Sequence, residues 1–227
     1  MDLLDFARGP ALWLSLAVFV LGTAWRLRGI LSLPPLPDLS PAREGAPSNL
    51  DAAARAIWRG LWPRWGIAHT RRYEAFNAYV FHVGLALVFL GYAPHIAFVR
   101  RIGYISWPAL PDAVMYLASG ATMVSLLLAL YWRITDPVRR LISNADDWLS
   151  WTLTFLPFVT GMAAITESST TLMAHSHTVY RGPVALHLLT LELLLIWFPF
   201  GKLMHAVLFA FSRAVTGIRF SHRGVQV

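Results

Sequence analysis

The sequence predicts an all-α fold: an integral membrane bundle of five transmembrane helices, N-terminus outside and C-terminus cytoplasmic. Three observations lead there. The 227 residues are 56% hydrophobic and 14% charged, against about 25% charged in an ordinary soluble domain, and mean hydropathy is +0.53. Five runs are long and apolar enough to cross a hydrocarbon layer about 30 Å thick, which takes about 20 helical residues. The cations, 18 arginines and one lysine, crowd into alternate loops. The formal charge of +7 does not point to nucleic acid, because the basic residues lie between apolar runs rather than on one soluble face. The chain has no cysteine, which excludes disulfides, thiolate-bound zinc, iron–sulfur clusters and covalently attached c-type haem.

A single membrane domain over 1–227 carries spans at about 11–32, 74–99, 112–133, 147–167 and 183–212. The first begins at Ala11 and continues past Arg26 and Arg28. Asp2 and Asp5 oppose Arg8 before it, so it reads as a retained span rather than a cleaved signal. The second has no Asp, Glu, Lys or Arg between Ala75 and Val99 but carries His82 and His95. The third and fourth have no formal charge over Ala113–Trp132 and Trp148–Thr166. The fifth contains Glu192, Pro199 and Lys202 and exceeds what a bilayer needs, so its C-terminal end should project into water or a partner. With the N-terminus outside, fifteen cations fall inside and four, Arg8, Arg100, Arg101 and Arg181, fall outside, as the positive-inside rule requires.

The inner loop 33–72 starts as a Pro-, Gly- and Ala-rich connector over 33–47. Ser48-Asn49-Leu50-Asp51 then resembles a capping box. Leu50, Ala53, Ala54, Ile57, Trp58, Leu61 and Trp62 recur at helical spacing, so 49–62 reads as a short amphipathic helix. It lies on the lipid surface or docks a cytoplasmic subunit; the sequence supports both. Trp62, Trp65, Trp107, Trp132 and Trp148 sit near span ends and suit interfacial anchoring.

Ionisable groups at membrane depth are costly and mark function. Four of the eight histidines fall in two spans of opposite polarity. His82 and His205 lie toward the inner ends, and His95 and His187 toward the outer ends. Imidazoles at matching depth on two antiparallel helices suit axial ligation of haem in a helical core. His187 and His205 are 18 residues apart, five whole turns of a regular helix, so both should face one way. His82 and His95 are 13 apart, which misaligns them by about 140° on a regular helix; Gly91 and Pro94 would have to relieve that. Gly84 and Gly91, beside these histidines, read as making room for a porphyrin, and Gly120 as helix packing. The competing readings are histidines that hydrogen-bond a neighbouring helix and a metal-ion transporter, which would want carboxylates along the path.

Phe81-His82-Val83-Gly84, Leu186-His187, and Phe198-Pro199-Phe200-Gly201-Lys202-Leu203-Met204-His205 resemble the gamma-subunit family of respiratory nitrate reductase. The same superfamily includes the cytochrome b subunit of the membrane complex linked to dissimilatory sulfite reduction. Asp147-Trp148-Leu149 and Thr160-Gly161 fit as well, and the similarity covers about residues 10–215. The resemblance implies a membrane-anchoring b-type cytochrome in a prokaryotic cytoplasmic (inner) membrane, an electron-transfer subunit of a quinol-linked oxidoreductase complex. It implies two haem b groups: an inner one on His82 and His205, and an outer one on His187. The chain departs from the family at the fourth ligand, where family members carry histidine at the position of Tyr92. His95, one turn later, is the substitute; if it cannot reach, one haem remains.

Quinol or menaquinol would then be oxidised near the outer face, and electrons would pass to cytoplasmic iron–sulfur and catalytic subunits of a nitrate-reductase-like or sulfur-metabolism complex. Glu167, His175, Arg100 and Tyr92 are the candidate quinol residues, with Arg101 and His177 beside them. Glu167 and His175 rank first because a carboxylate or imidazole can accept a proton near neutral pH. Lys202 and Arg140 are candidates to face haem propionates. The alternatives are a haemless or mono-haem anchor subunit and a metal-ion transporter.

Overall fold

The structure, a computed structural model, describes residues 2–34, 39–62, 72–173 and 181–225, with the side chains of 166–173 and 181 left out of the description. Among these residues it is helical throughout, with no strand. The elements are α1 (Leu3–Leu31), α2 (Asn49–Gly60), α3 (Arg72–Gly91), α4 (Ala93–Gly103) and α5 (Asp112–Thr135). They continue with α6 (Pro137–Ile142), α7 (Ala145–Met173), α8 (Arg181–Trp197) and α9 (His205–His222).

Five helices are long and apolar enough to cross a membrane: Leu3–Leu31, Arg72–Gly91, Asp112–Thr135, Ala145–Ile165 and Lys202–His222; the apolar helix Gly182–Trp197 is shorter. Large apolar side chains face outward along them, Trp13 at 72% exposure, Leu21 at 68% and Leu117 at 75%. That surface suits hydrocarbon rather than water. These are the properties of a multi-pass membrane protein.

Two of the predicted spans are not continuous helices. The second, expected over 74–99, stops at Gly91 and restarts at Ala93 as α4. The fifth, expected over 183–212, breaks after Trp197 into a turn and a short 3-10 segment, Lys202–Met204, before α9. Pro199 has no amide hydrogen and its ring crowds the carbonyl four residues back, and the Phe200 and Gly201 amides close the turn on the Trp197 carbonyl. The five-turn alignment of His187 with His205 therefore does not hold, since no single helix joins them. Proline leaves a milder mark on α1. Ala7–Ala11, with Pro10 inside, widens into a π-helical turn before the α-helix resumes, a common local answer to a missing donor.

The chain forms two compact units, one of the described residues up to Ser15 and from Arg72 to Leu194, the other from Leu16 to Trp62 and from Leu195 to Val225. In the first, α3 packs along α5, where a methyl group on Gly84 would overlap the Thr122 hydroxyl. A buried reciprocal pair locks them further: Asn77 Nδ2 donates to the Ser125 carbonyl at 2.9 Å, and Ser125 Oγ to the Asn77 carbonyl at 2.9 Å. Trp151 Nε1 donates to the Leu126 carbonyl at 2.9 Å and ties α7 to α5. Charges gather at one end. Arg133 pairs with Asp147 at 3.1 Å, while Arg139 pairs with Glu74 and, at 3.2 Å, with Asp136. Asp136 also caps α6 through the amides of Val138 and Arg139. Partial desolvation pushes its carboxyl upward, but the two amides and the Arg139 guanidinium together hold it below the ordinary carboxylate value.

In the second unit, Ser48 Oγ accepts from the Asp51 amide at 3.2 Å and donates to its carboxylate at 2.7 Å, starting α2 as the capping pattern requires. The face that α2 buries is Ala52 and Ala56, which the apolar periodicity did not single out. They lie against Gly217 of α9, whose added Cβ would sit 2.7 Å from the Ala52 carbonyl oxygen. Gly60 faces Phe209 and Arg213, and the Arg43 amide donates to the His222 carbonyl at 2.9 Å, so the two helices run antiparallel. Leu50, Trp58 and Trp62 stay exposed at 80%, 63% and 59%. The turn after Trp197 seats on α1, with Pro199 against Gly22 and Phe198 edge-on to Phe19 at 5.2 Å. Gly217→Ala should separate α2 from α9, because backbone stands in the way of the new methyl group. The expected cost is about 1–3 kcal/mol, read as faster amide hydrogen exchange over 49–60 with α3 and α5 unaffected.

Candidate functional site

The last carbonyls of a helix lack intrahelical partners, and at membrane depth each needs another donor. The end of α3 meets this need from three directions. His95 Nδ1 lies 3.1 Å from the Val88 carbonyl, Trp107 Nε1 donates to the Leu90 carbonyl at 2.5 Å, and the Leu110 amide donates to the Gly91 carbonyl at 2.9 Å. In an unbroken helix residues 88 and 95 stand about 10.5 Å apart along the axis. The His95–Val88 bond exists because the chain turns at Tyr92, which has extended backbone angles, and re-enters a helix with Pro94 in its first turn. The regular helix that would misalign His82 and His95 by about 140° is thus interrupted at Gly91.

The turn delivers His95 to His187. Their ring centroids are 6.1 Å apart and their planes 16° from parallel. His187 projects from α8 toward α7, where Gly161 leaves room for it: a Cβ there would lie 3.1 Å from His187 Cε1. Thr160 Oγ1 is 3.4 Å from His187 Nδ1 and 3.0 Å from Thr190 Oγ1. Tyr92, at the position where the resembled family carries histidine, packs its ring edge-on against His95 at 5.2 Å.

A metal ion bound by two imidazoles at about 2.0–2.1 Å places their centroids roughly 6.4 Å apart once the ring radii are added, close to the observed separation. An offset aromatic pair spans a similar distance, so the chemistry of the nitrogens decides. A carbonyl only accepts, so a ring nitrogen bonded to one carries the hydrogen and the other keeps the lone pair. His95 Nδ1 faces the Val88 carbonyl, His82 Nδ1 the Ala78 carbonyl at 2.7 Å, and His205 Nδ1 the Lys202 carbonyl at 2.9 Å. In all three the lone pair is left on Nε2. His187 engages its partner hydroxyl through Nδ1 as well. His222, not a predicted ligand, is reversed, with Nε2 at 2.8 Å from the Ser40 carbonyl. Donating Nδ1 to a backbone carbonyl while Nε2 meets a metal is how ligating histidines are commonly oriented. The four predicted ligands fit haem in this respect.

His82 opens onto a cleft of the first unit lined by Asn77, Phe81, Leu126, Trp132 and Arg139. His205 belongs to the second unit, at the start of α9, and is exposed. Arg100 and Arg101 are exposed in the last turn of α4. The Glu167 side chain and all of His175 and His177 lie outside the described residues. The glycines divide differently from expectation. Gly84 meets Thr122 and Gly91 meets Leu110 and Met115, so both serve packing, whereas Gly120 has nothing within 4 Å. The sequence marks Thr160 only through the Thr160-Gly161 match and Arg139 only as one of the inner cations, neither as a site residue. Trp107→Phe removes the donor to the Leu90 carbonyl and should cost about 1–3 kcal/mol, seen as a lower thermal midpoint in detergent and faster exchange over 88–96; unchanged exchange would show that this cap does not hold the break.

No family model matches the chain. It is 30% identical over 233 aligned positions to a protein of Nitratidesulfovibrio vulgaris strain Hildenborough whose name, "Protein", states no activity, and the match covers 95% of this chain and 92% of that one. The chain belongs to the same family as this Nitratidesulfovibrio vulgaris protein.

Proposed function

We propose that the chain is a membrane-anchoring b-type cytochrome subunit that takes electrons from quinol near the outer face and delivers them to cytoplasmic iron–sulfur and catalytic subunits of a respiratory reductase. The observation that carries this reading is the pairing of His95 with His187, 6.1 Å apart, together with the shared use of Nδ1 that leaves Nε2 to a metal. His95 and His187 hold one haem b. His82 and His205 carry the same preparation and, by the resemblance to the nitrate reductase gamma family, ligate a second. A haem held by two imidazoles has no open position, so it supplies one-electron transfer rather than substrate binding.

The residues of the chain do the rest. The Val88 carbonyl fixes the tautomer and direction of His95, and Gly161 keeps clear the space that the His187 ring occupies. Quinol gives up two electrons and two protons to become quinone. Glu167 and His175 are the candidates to accept those protons, with Tyr92 and Arg100 to position the headgroup. The excess of cations in alternate loops supports the orientation with the N-terminus outside in a prokaryotic cytoplasmic membrane, which releases the protons outward while electrons move inward. The basic inner segments and the exposed stripe of α2 face the side where the catalytic subunits dock.

The test is haem stoichiometry on the purified chain. Two haem b per chain with low-spin bis-imidazole spectra are expected; His187→Ala and Gly161→Val should each remove one haem and spare the other, and His205→Ala should remove the remaining one. A colourless protein from a haem-sufficient host would sink the proposal.

A further inference from the structure

We infer that Glu192 is a proton-binding site that takes up a proton when the centre held by His95 and His187 is reduced; the inference rests on the haem reading above. Glu192 is 3% exposed, and neither carboxylate oxygen has a hydrogen-bond partner among the described residues. Asp147, the other buried carboxylate among the described residues at 9% exposure, meets Arg133 at 3.1 Å. No ion pair reaches Glu192 among the described residues. On α8 itself, the other titratable side chain within the apolar run is His187.

A native structure seldom leaves a buried polar group unmatched without a functional reason, and an ionisable one at membrane depth is functional by default. An unpaired carboxylate in this setting is strongly disfavoured unless positive charge stands nearby. The centre at His187 is five residues away, about 7.5 Å along the helix axis and about 140° around it, and charge acts across such a separation where water is excluded. In its oxidised form that centre carries the positive charge that favours ionised Glu192. One electron from quinol removes the charge, and one proton from water then forms an O–H bond on the carboxylate. Charge is balanced without any further reactant. The site thereby makes electron entry depend on pH, and it is separate from the groups that take protons from quinol.

The experiment is redox-difference infrared spectroscopy on the haem-loaded chain, with a pH series of the outer centre's midpoint potential. Reduction should raise a carboxylic C=O band that shifts with isotopically labelled glutamate, of which the chain has four, and that vanishes in Glu192→Gln. The same variant should flatten the fall of the midpoint potential with pH. Should Glu192→Gln not assemble, the labelled wild-type chain still gives the band. Haem-loaded protein with no redox-sensitive carboxylic band, or an unchanged slope in Glu192→Gln, overturns the inference. A chain that binds no haem overturns the underlying reading first, which the absorption spectrum distinguishes.

Discussion

Backbone hydrogen bonding governs this structure more tightly than any side-chain contact. In hydrocarbon no water completes an interrupted helix, so a break persists only where the freed carbonyls meet donors. After Gly91 they do: an imidazole, an indole and a backbone amide serve Val88, Leu90 and Gly91. The imidazole has two tasks. By capping Val88 through Nδ1, His95 closes the helix end, and its ring lies 6.1 Å from that of His187. A single residue thus helps make the break tolerable and stands beside a second imidazole.

Close approach between helices follows a different logic. With lipid as apolar as the side chains, association rests on van der Waals fit and on polar groups satisfied between helices. Gly84 against Thr122 and Gly217 against Ala52 and Ala56 are contacts that any larger residue would prevent. The Asn77–Ser125 pair adds a reciprocal link that neither helix can satisfy alone. The ion pairs of Arg133 and Arg139 gather at one end of the first unit, away from the apolar stretches, where water lowers the cost of holding charge.

The polar groups inside the apolar region sort by whether they are answered. Asn77, Ser125, Thr122 and Asp147 all find partners. His82, His95 and His205 each turn Nδ1 to a backbone carbonyl, which orients the ring. Glu192 is answered on neither oxygen. That difference runs parallel to the roles proposed for these residues: scaffold, cofactor ligand and proton carrier.

Amino-acid order by itself determined the apolar spans, the charge bias between loops, the capped start of α2 at Ser48 and the choice of His82, His95, His187 and His205 as the residues of interest. All of these are local or periodic properties, readable within a window of a few turns. Tertiary structure decided the rest. Whether a proline or glycine interrupts a helix depends on what stands ready to cap it, and for Gly91 the caps come from Trp107 and Leu110, well beyond that window. Which glycine packs and which merely exists depends on the facing helix, so Gly84 and Gly91 turned out to be contact points and Gly120 did not. The pairing of His95 with His187 belongs to the same class: it follows the turn at Tyr92, where the helix end is capped by donors from elsewhere in the chain.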